Sequence, residues 1–367
     1  MRVLFTFSLA SALVSLVSCS PVGKSTSILA SSNSSRSIAP QPGPAPSTPE
    51  PAQPRPGPSP AAASKLGLCS KLDFNGVNWS QTLPLIEREM LQLALNITGS
   101  FEGHNSWGTL TGNFDGQGLS MGLLQQNLGQ GSLQPLWADM ESSSLATMKG
   151  IFSSANLTNL LAMLDHWRAA VSPAAVHLAD YGYSELDDMQ SVAHEMGVTA
   201  SDLQAVQTAL LARNQAAVDW AAQTLYSSGN FKSDWKAQLA GFATTAGYRS
   251  LQVGRAEHLH SSAMEMLAAF QMHELRSYLF FFDIAVQNGG LSSTLRSDYA
   301  AWFKTHTSAS EAERLGQILL LRLKVVRAQY VGDVRARKST LITGHGIVHG
   351  ESRSLEKEYC VSFASRI

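Results

Sequence analysis

Between Ser20 and Ser64 the chain carries almost no large apolar side chain. A serine-rich stretch, SILASSNSSRS, passes into PQPGPAPSTPEPAQPRPGPSP. Such a segment cannot bury a core, and its prolines favour extended, solvated backbone. Whatever folds must therefore lie from Lys65 onward, so residues 65–367 are read as one domain and residues 19–64 as a disordered tether rich in Pro, Ser and Ala. The chain has 367 residues, 44% hydrophobic and 15% charged. That is enough apolar material for a sizeable core beneath a sparsely charged surface.

The N-terminus explains what the tether would hold. Met1-Arg2 precedes a mostly apolar run from Val3 to Val17, too short to span a bilayer but suited to a signal-peptide core over residues 1–18. Leu16-Val17-Ser18-Cys19 resembles a bacterial lipoprotein box. That resemblance implies a lipidated Cys19 as the first mature residue, and an outer-membrane or periplasmic lipoprotein. Simple cleavage and secretion is the alternative, and on either reading the protein is exported. With Cys19 taken, Cys69 and Cys360 remain, one at each end of the folding region. In an oxidising compartment they are expected to form a disulfide, worth about 4–5 kcal/mol if it closes so long a loop; two separate buried thiols are the alternative.

Charge narrows the partners. Residues 1–65 hold five Lys/Arg and one acid, leaving 22 Lys/Arg against 27 Asp/Glu, or about −5, for the rest. A mildly acidic domain suits a neutral or cationic glycan better than nucleic acid.

From Lys65 the apolar spacing is helical. Helices are predicted over Leu83–Leu95 with a stop at Asn96-Ile97-Thr98-Gly99, and over Ala146–Ala170 before Pro173. Further helices are expected from Ser201 to Leu225, over Lys232–Thr245, over a long Ser250–Asn288 segment, and over Leu291–Thr305 and Ser308–Arg337. Trp107–Leu124, rich in Gly, Asn and Thr, reads instead as a short β-hairpin or loop. The expected class is mainly α, a two-lobed helical domain with one small β element beside a cleft.

That β element lies in the least ordinary segment, Ser100–Trp137. It contains eight glycines and two carboxylates, Glu102 and Asp115, with no Lys, Arg or further acid after Glu102 except Asp115. Surface loops normally solvate themselves with mixed charge. Two isolated acids in a near-neutral segment suit a cleft that gives each its own environment, as glycoside hydrolysis requires: one acid protonated, the other ionised. Phe101 and Trp107 could desolvate Glu102, while the backbone N–H groups near Gly116 and Gly118 could serve Asp115.

At these residues the sequence resembles the lysozyme-like superfamily, and most closely the family 46 chitosanases. Ser100-Phe101-Glu102-Gly103 is similar to the segment that carries their general acid at a helix end. Asp115-Gly116-Gln117-Gly118-Leu119-Ser120-Met121-Gly122 resembles their Asp-Gly-Arg-Gly-aromatic-Thr-x-Gly motif, which implies that Asp115 is the second catalytic carboxylate and that Ser120 helps position water. Gly122-Leu123-Leu124-Gln125 is similar to a turn of lytic transglycosylases and other lysozyme relatives. Phe282-Asp283-Ile284-Ala285-Val286-Gln287-Asn288-Gly289 resembles a chitosanase helix. Two departures stand out: Gln117 replaces the motif's Arg, and Asn288 replaces its His.

The resemblance implies a glycosidase acting on β-1,4-linked amino sugars; no cofactor is expected, and the chain is expected to be a monomer. The tether and the anchor favour peptidoglycan, the motif and the acidic domain favour chitosan or a de-N-acetylated glycan, and de-N-acetylated peptidoglycan would satisfy both. The alternatives are a non-catalytic glycan-binding envelope lipoprotein and a lytic transglycosylase. Trp107, Gln117, Gln125 and Asn127 are the expected substrate contacts, each with a structural role as the competing reading. Trp137 could stack on a sugar face, with core packing beside Pro135-Leu136 the favoured reading; Trp167, Trp220, Trp235 and Trp302 are assigned to packing, and His258, His260 and His273 to a helix surface. His345 and His349 have i, i+4 spacing, but the glycines interspersed with them, Gly344, Gly346 and Gly350, argue against a helix that would bring them together, so no metal site is assigned.

Overall fold

The computed structural model describes residues 66–101, 106–170 and 200–367. The expected leader, Cys19, the tether and Glu102 lie outside the described residues, as does the stretch 171–199. What is described is mainly helical with small β-hairpins. Helix α1 (Leu85–Phe101) leads into a three-stranded antiparallel sheet of β1 (Leu110–Thr111), β2 (Ser120–Met121) and β3 (Gln126–Asn127). Helices α2 (Gln134–Ile151), α3 (Ser154–Ala169) and α4 (Ala200–Thr224) come next. Then follow the β4–β5 hairpin (Tyr226–Ser227, Asn230–Phe231), α5 (Ser233–Ala243), α6 (Ala246–Ala269) and α7 (Leu275–Asn288). Helices α8 (Ser293–Phe303), α9 (Glu311–Leu323) and α10 (Val331–Thr343), the β6–β7 hairpin (His345–Val348, Glu351–Ser354) and α11 (Leu355–Tyr359) complete the order.

Two hydrophobic cores form. One gathers the buried faces of α1 and α7 to α10; the other joins β2 to α2, α3, α4 and α5. Helix α6 serves both, giving Tyr248 to the second and Val253, Ala256 and Ala263 to the first. Trp137, Trp167 and Trp235 are buried in the second core, with Trp220 packed against it edge-to-face on Trp137 and Trp235.

Several helix boundaries differ from the sequence expectation, each for a physical reason. Helix α1 does not stop at Asn96 but continues to Phe101. Asn96 is fully buried, and its side-chain oxygen accepts the Lys71 and Leu72 N–H groups while its amide donates to the Ser70 hydroxyl and the Gln92 carbonyl. A residue that usually ends helices here ties the incoming 66–72 segment to one. Helix α2 begins at Gln134, with Pro135 in its first turn, where a missing N–H costs nothing, and it kinks at Ser144 (φ -153°, ψ 46°), so the expected start at Ala146 falls in its second segment. The single helix expected over Ser250–Asn288 is two. It breaks at Phe270–Glu274, where Gln271 is left-handed (φ 50°). The Glu311 carboxylate of α9 accepts the His273 and Glu274 N–H groups, and Arg314 donates to the carbonyls of Phe270 and Gln271. The segment read as Ser308–Arg337 likewise divides into α9 and α10. His260 is not on a surface: it is buried between Glu87 and Tyr278, hydrogen-bonded to each at 2.9 Å.

Cys69 and Cys360 are bonded, with Cα atoms 5.4 Å apart, joining residues separated by 291 positions. Beside the disulfide, Glu358 pairs with Arg353 and with Lys71 at 2.8 Å and accepts the Ser354 N–H. Burial pushes the Glu358 carboxyl up, but these donors outweigh it and hold it at about 2. A carboxyl depressed by folding adds stability above its unfolded value of 4.5, and that contribution is lost as pH falls towards about 2. Chemical denaturation from pH 5 downward should therefore show the wild type losing more stability than Glu358→Gln, the two converging at the acid end; parallel curves would contradict this. Independently, Cys360→Ser should lower the unfolding free energy by up to about 5 kcal/mol on the chain-entropy model.

Candidate active site

The sheet that follows α1 is short, and its turns hold it in shape. Leu110 pairs with Met121 and Thr111 with Ser120; Ser120 in turn pairs with Asn127, and Met121 with Gln126. Cross-strand partners share a face, so Thr111, Ser120 and Asn127 lie on one side of the sheet. Between β1 and β2 a 3₁₀ turn, Asn113–Asp115, carries the candidate carboxylate. Gly116 and Gly118 follow, both at φ +79°, a conformation that strains side chains with a Cβ. The aspartate and its two glycines thus form one local device: the chain reverses left-handed on either side of Gln117.

That turn is braced from three directions. The Asn113 side-chain oxygen accepts the Gly118 N–H at 2.7 Å. Gly118 is pressed against α4, where a Cβ would lie 3.2 Å from the Val218 Cα. Tyr226, at the start of the β4–β5 hairpin, donates its hydroxyl to the Gly118 carbonyl at 2.7 Å. Burial, with a smaller contribution from the Asp115 charge, pushes the Tyr226 phenol up to about 12 against a backbone contact at Asn113. Asp115 itself is half-buried, and among the described residues its carboxylate takes a single hydrogen bond, 3.1 Å from the Gln117 N–H.

Most of the substrate contacts expected from sequence are spent inside the fold. The Trp107 ring is 6% exposed, donates its indole N–H to the Asp73 carbonyl and meets Phe74 edge-on, so it packs and offers no open face. Gln125, left-handed at φ 51°, donates to the Gly122 carbonyl and accepts the Thr111 hydroxyl. Asn127 is buried and closes the 127–133 turn through Gln130, Ser132 and Leu133. The Gln117 side chain is folded back over Gly129, where a Cβ would overlap its carbonyl oxygen. Ser120 is buried in the central strand. Of the expected residues described, Asp115 is the one whose reactive group is turned to neither a second partner nor the core.

The end of α1 meets two cations, each paired with a carboxylate. Phe101 is buried, with the guanidinium groups of Arg337 and Arg353 over its ring at 5.1 and 5.5 Å. It therefore packs between cations and does not form an open hydrophobic wall. Arg337 and Lys338 both pair with Asp283 of α7, and all three side chains are almost fully buried. Burial works against the Asp283 charge, but the two cations outweigh it and hold the carboxyl below its usual range.

Elsewhere, a cavity of about 230 Å³ opens between α3 and α4, lined by Trp167, Trp220, Arg213 and Asn159 among others. Among the described residues no carboxylate lines it, so it lacks the paired-carboxylate chemistry sought, and we place the candidate site at Asp115. His345 and His349 are engaged separately, at the Thr343 carbonyl and at Asp333, and among the described residues no group of His, Cys, Asp and Glu could hold a metal ion. Comparison with protein-family models, with curated proteins and with solved structures finds no match to this chain.

Tyr226 was not legible as a site residue, because the carbonyl it holds is 108 residues away in sequence. Tyr226→Phe should cost about 1 kcal/mol of stability through the lost hydrogen bond. A phenol raised by folding stabilises fully below its unfolded value of 10, and that contribution is lost as pH rises towards about 12. The gap between wild type and Tyr226→Phe should accordingly narrow over that alkaline window, as followed by circular dichroism in denaturant.

Proposed function

We propose that the chain is an exported glycoside hydrolase with a two-lobed, lysozyme-like arrangement, acting on a β-1,4-linked amino-sugar polymer. The observation that carries this reading is Asp115: a half-exposed carboxylate with one backbone hydrogen bond, on a turn braced by Asn113, Tyr226 and α4. Rigid support of a reactive group is what catalysis demands, because reacting atoms must be positioned before reaction. The order of a helix end followed by a carboxylate-bearing hairpin fits the resemblance to the chitosanases and lysozymes.

In the mechanism Glu102 donates its proton to the glycosidic oxygen as the C–O bond breaks, and charge develops at the anomeric carbon. Asp115 accepts a proton from water as the water oxygen bonds to that carbon. The proton balance closes when Glu102 is reprotonated from solvent and Asp115 releases its proton, giving two chain ends and consuming one water. The reading leans towards inversion of the anomeric centre, in which water stands between the two carboxyls. A lipid at Cys19 and the tether would keep the domain near the membrane, within reach of peptidoglycan. Its net acidity suits sugars bearing free amines, so de-N-acetylated peptidoglycan satisfies both features.

One observation favours a second reading. Asp115 caps its own turn through the Gln117 N–H, a bond that Asp makes in purely structural turns, and this fits a glycan-binding lipoprotein without turnover. The two readings separate in one assay. The full chain, Glu102→Gln and Asp115→Asn are incubated with peptidoglycan, its deacetylated form and chitosan, and new reducing ends are counted. Hydrolysis predicts that each variant loses about a hundredfold or more of the wild-type rate. Equal product from all three proteins would sink it.

A further inference from the structure

We propose that Phe114 is a sugar-stacking platform of the Asp115 site, seating a pyranose ring of the polymer beside the bond to be cleaved. This inference rests on the glycan-acting reading above and extends it to a residue that no motif singled out.

Phe114 is 58% exposed, and among the described Phe, Tyr and Trp side chains it is the only one in the exposed class. Single exposed apolar residues are ordinary on protein surfaces and carry no message alone. Three features set this one apart. It immediately precedes Asp115 on the Asn113–Asp115 turn, so the ring and the carboxylate are presented by one short segment. No other aromatic or cationic side chain among the described residues covers it, although aromatic pairing is frequent elsewhere in the molecule, as at Phe74–Trp107, Tyr226–Phe231 and Phe270–Tyr299. Its backbone is also fixed: the Phe114 N–H donates to the Gly112 carbonyl, and Asn113 and Gly118 clamp the turn on both sides. The exposure therefore belongs to an ordered turn that presents the ring.

The chemistry that such a ring recognises is specific. A β-1,4-linked pyranose carries its axial C–H bonds on its two faces and its hydroxyl or amino groups around the rim. A flat aromatic face meets the C–H face through dispersion and weak C–H contacts, leaving the rim groups in water. Fixing the ring in advance limits the entropy lost on binding. A sugar seated there lies next to the carboxylate that is to activate water, so the platform and the base share one rigid turn.

The test compares the full-length wild type, Phe114→Ala, Phe114→Tyr and Asp115→Asn by co-pelleting with insoluble chitosan and peptidoglycan, and by steady-state kinetics on a soluble chitosan oligosaccharide. Circular dichroism verifies that each variant is folded. Phe114→Ala should weaken pelleting and raise KM about fivefold, the size of one aromatic stacking contact, while Phe114→Tyr keeps both near wild type. Pelleting and KM unchanged in folded Phe114→Ala would overturn the platform. Failure of hydrolysis reads out separately. If wild type releases no reducing ends yet pellets with a polymer, the pelleting comparison alone decides the platform while the enzyme reading falls. If wild type neither cleaves nor pellets, both fall.

Discussion

Asp283 is a carboxylate with no exposed surface, and it ties together helices of the core built from α1 and α7 to α10. Arg337 and Lys338, consecutive residues of α10, reach it from one side while α7 supplies it from the other. A buried charge is tolerated only when paired, and removing one partner leaves an uncompensated ion that costs about 3–5 kcal/mol. The triad therefore fixes the position of α10 against α7. Arg337 then extends the constraint to α1 by lying over the Phe101 ring, and Arg353 approaches the same ring from β7 while donating to the Ser100 hydroxyl. The last turn of α1 is thus held by cations from two later segments, and Glu102 is the next residue in the chain.

The other half of the candidate site is held by different means. Among the described residues no ion pair fixes the Asp115 turn. Glycine conformations, one Asn side chain, one tyrosine hydroxyl and close backbone packing on α4 do so. The arrangement leaves the carboxylate with a single N–H partner and no cation among the described residues, with the neutral Gln117 next but one in the chain. A neutral residue there folds over Gly129 instead of pairing with the acid. The covalent tie of Cys69 to Cys360, reinforced by Lys71, Glu358 and Arg353, joins the two ends of the described chain.

Sequence patterns exposed local features well and long-range ones poorly. The amphipathic spacing revealed most helices, and Asp115-Gly116-Gln117-Gly118 marked a turn because glycine is the residue that accepts its positive φ. With Cys19 assigned to the expected lipid anchor, the two remaining cysteines pointed to their pairing. What misled was chemistry completed from a distance. Asn96 resembles a helix stop, yet its polar atoms are taken by residues 70–72. The break after α6 lacks Gly or Pro and is stabilised by Glu311 and Arg314 from α9. Trp107 and Asn127 resemble ligand contacts in a line of text, but Asp73 and the 130–133 turn consume their hydrogen bonds. Phe114 was overlooked because nothing in sequence distinguishes an exposed phenylalanine from a core one.

The central claim is that two carboxylates direct water onto a glycosidic bond. Digestion of the polymer in heavy-oxygen water, with mass spectrometry of the fragments, tests it most directly. The account predicts that each new reducing end carries one heavy oxygen from solvent. Fragments that end in an unlabelled internal anhydro ring, or the absence of fragments, would contradict it.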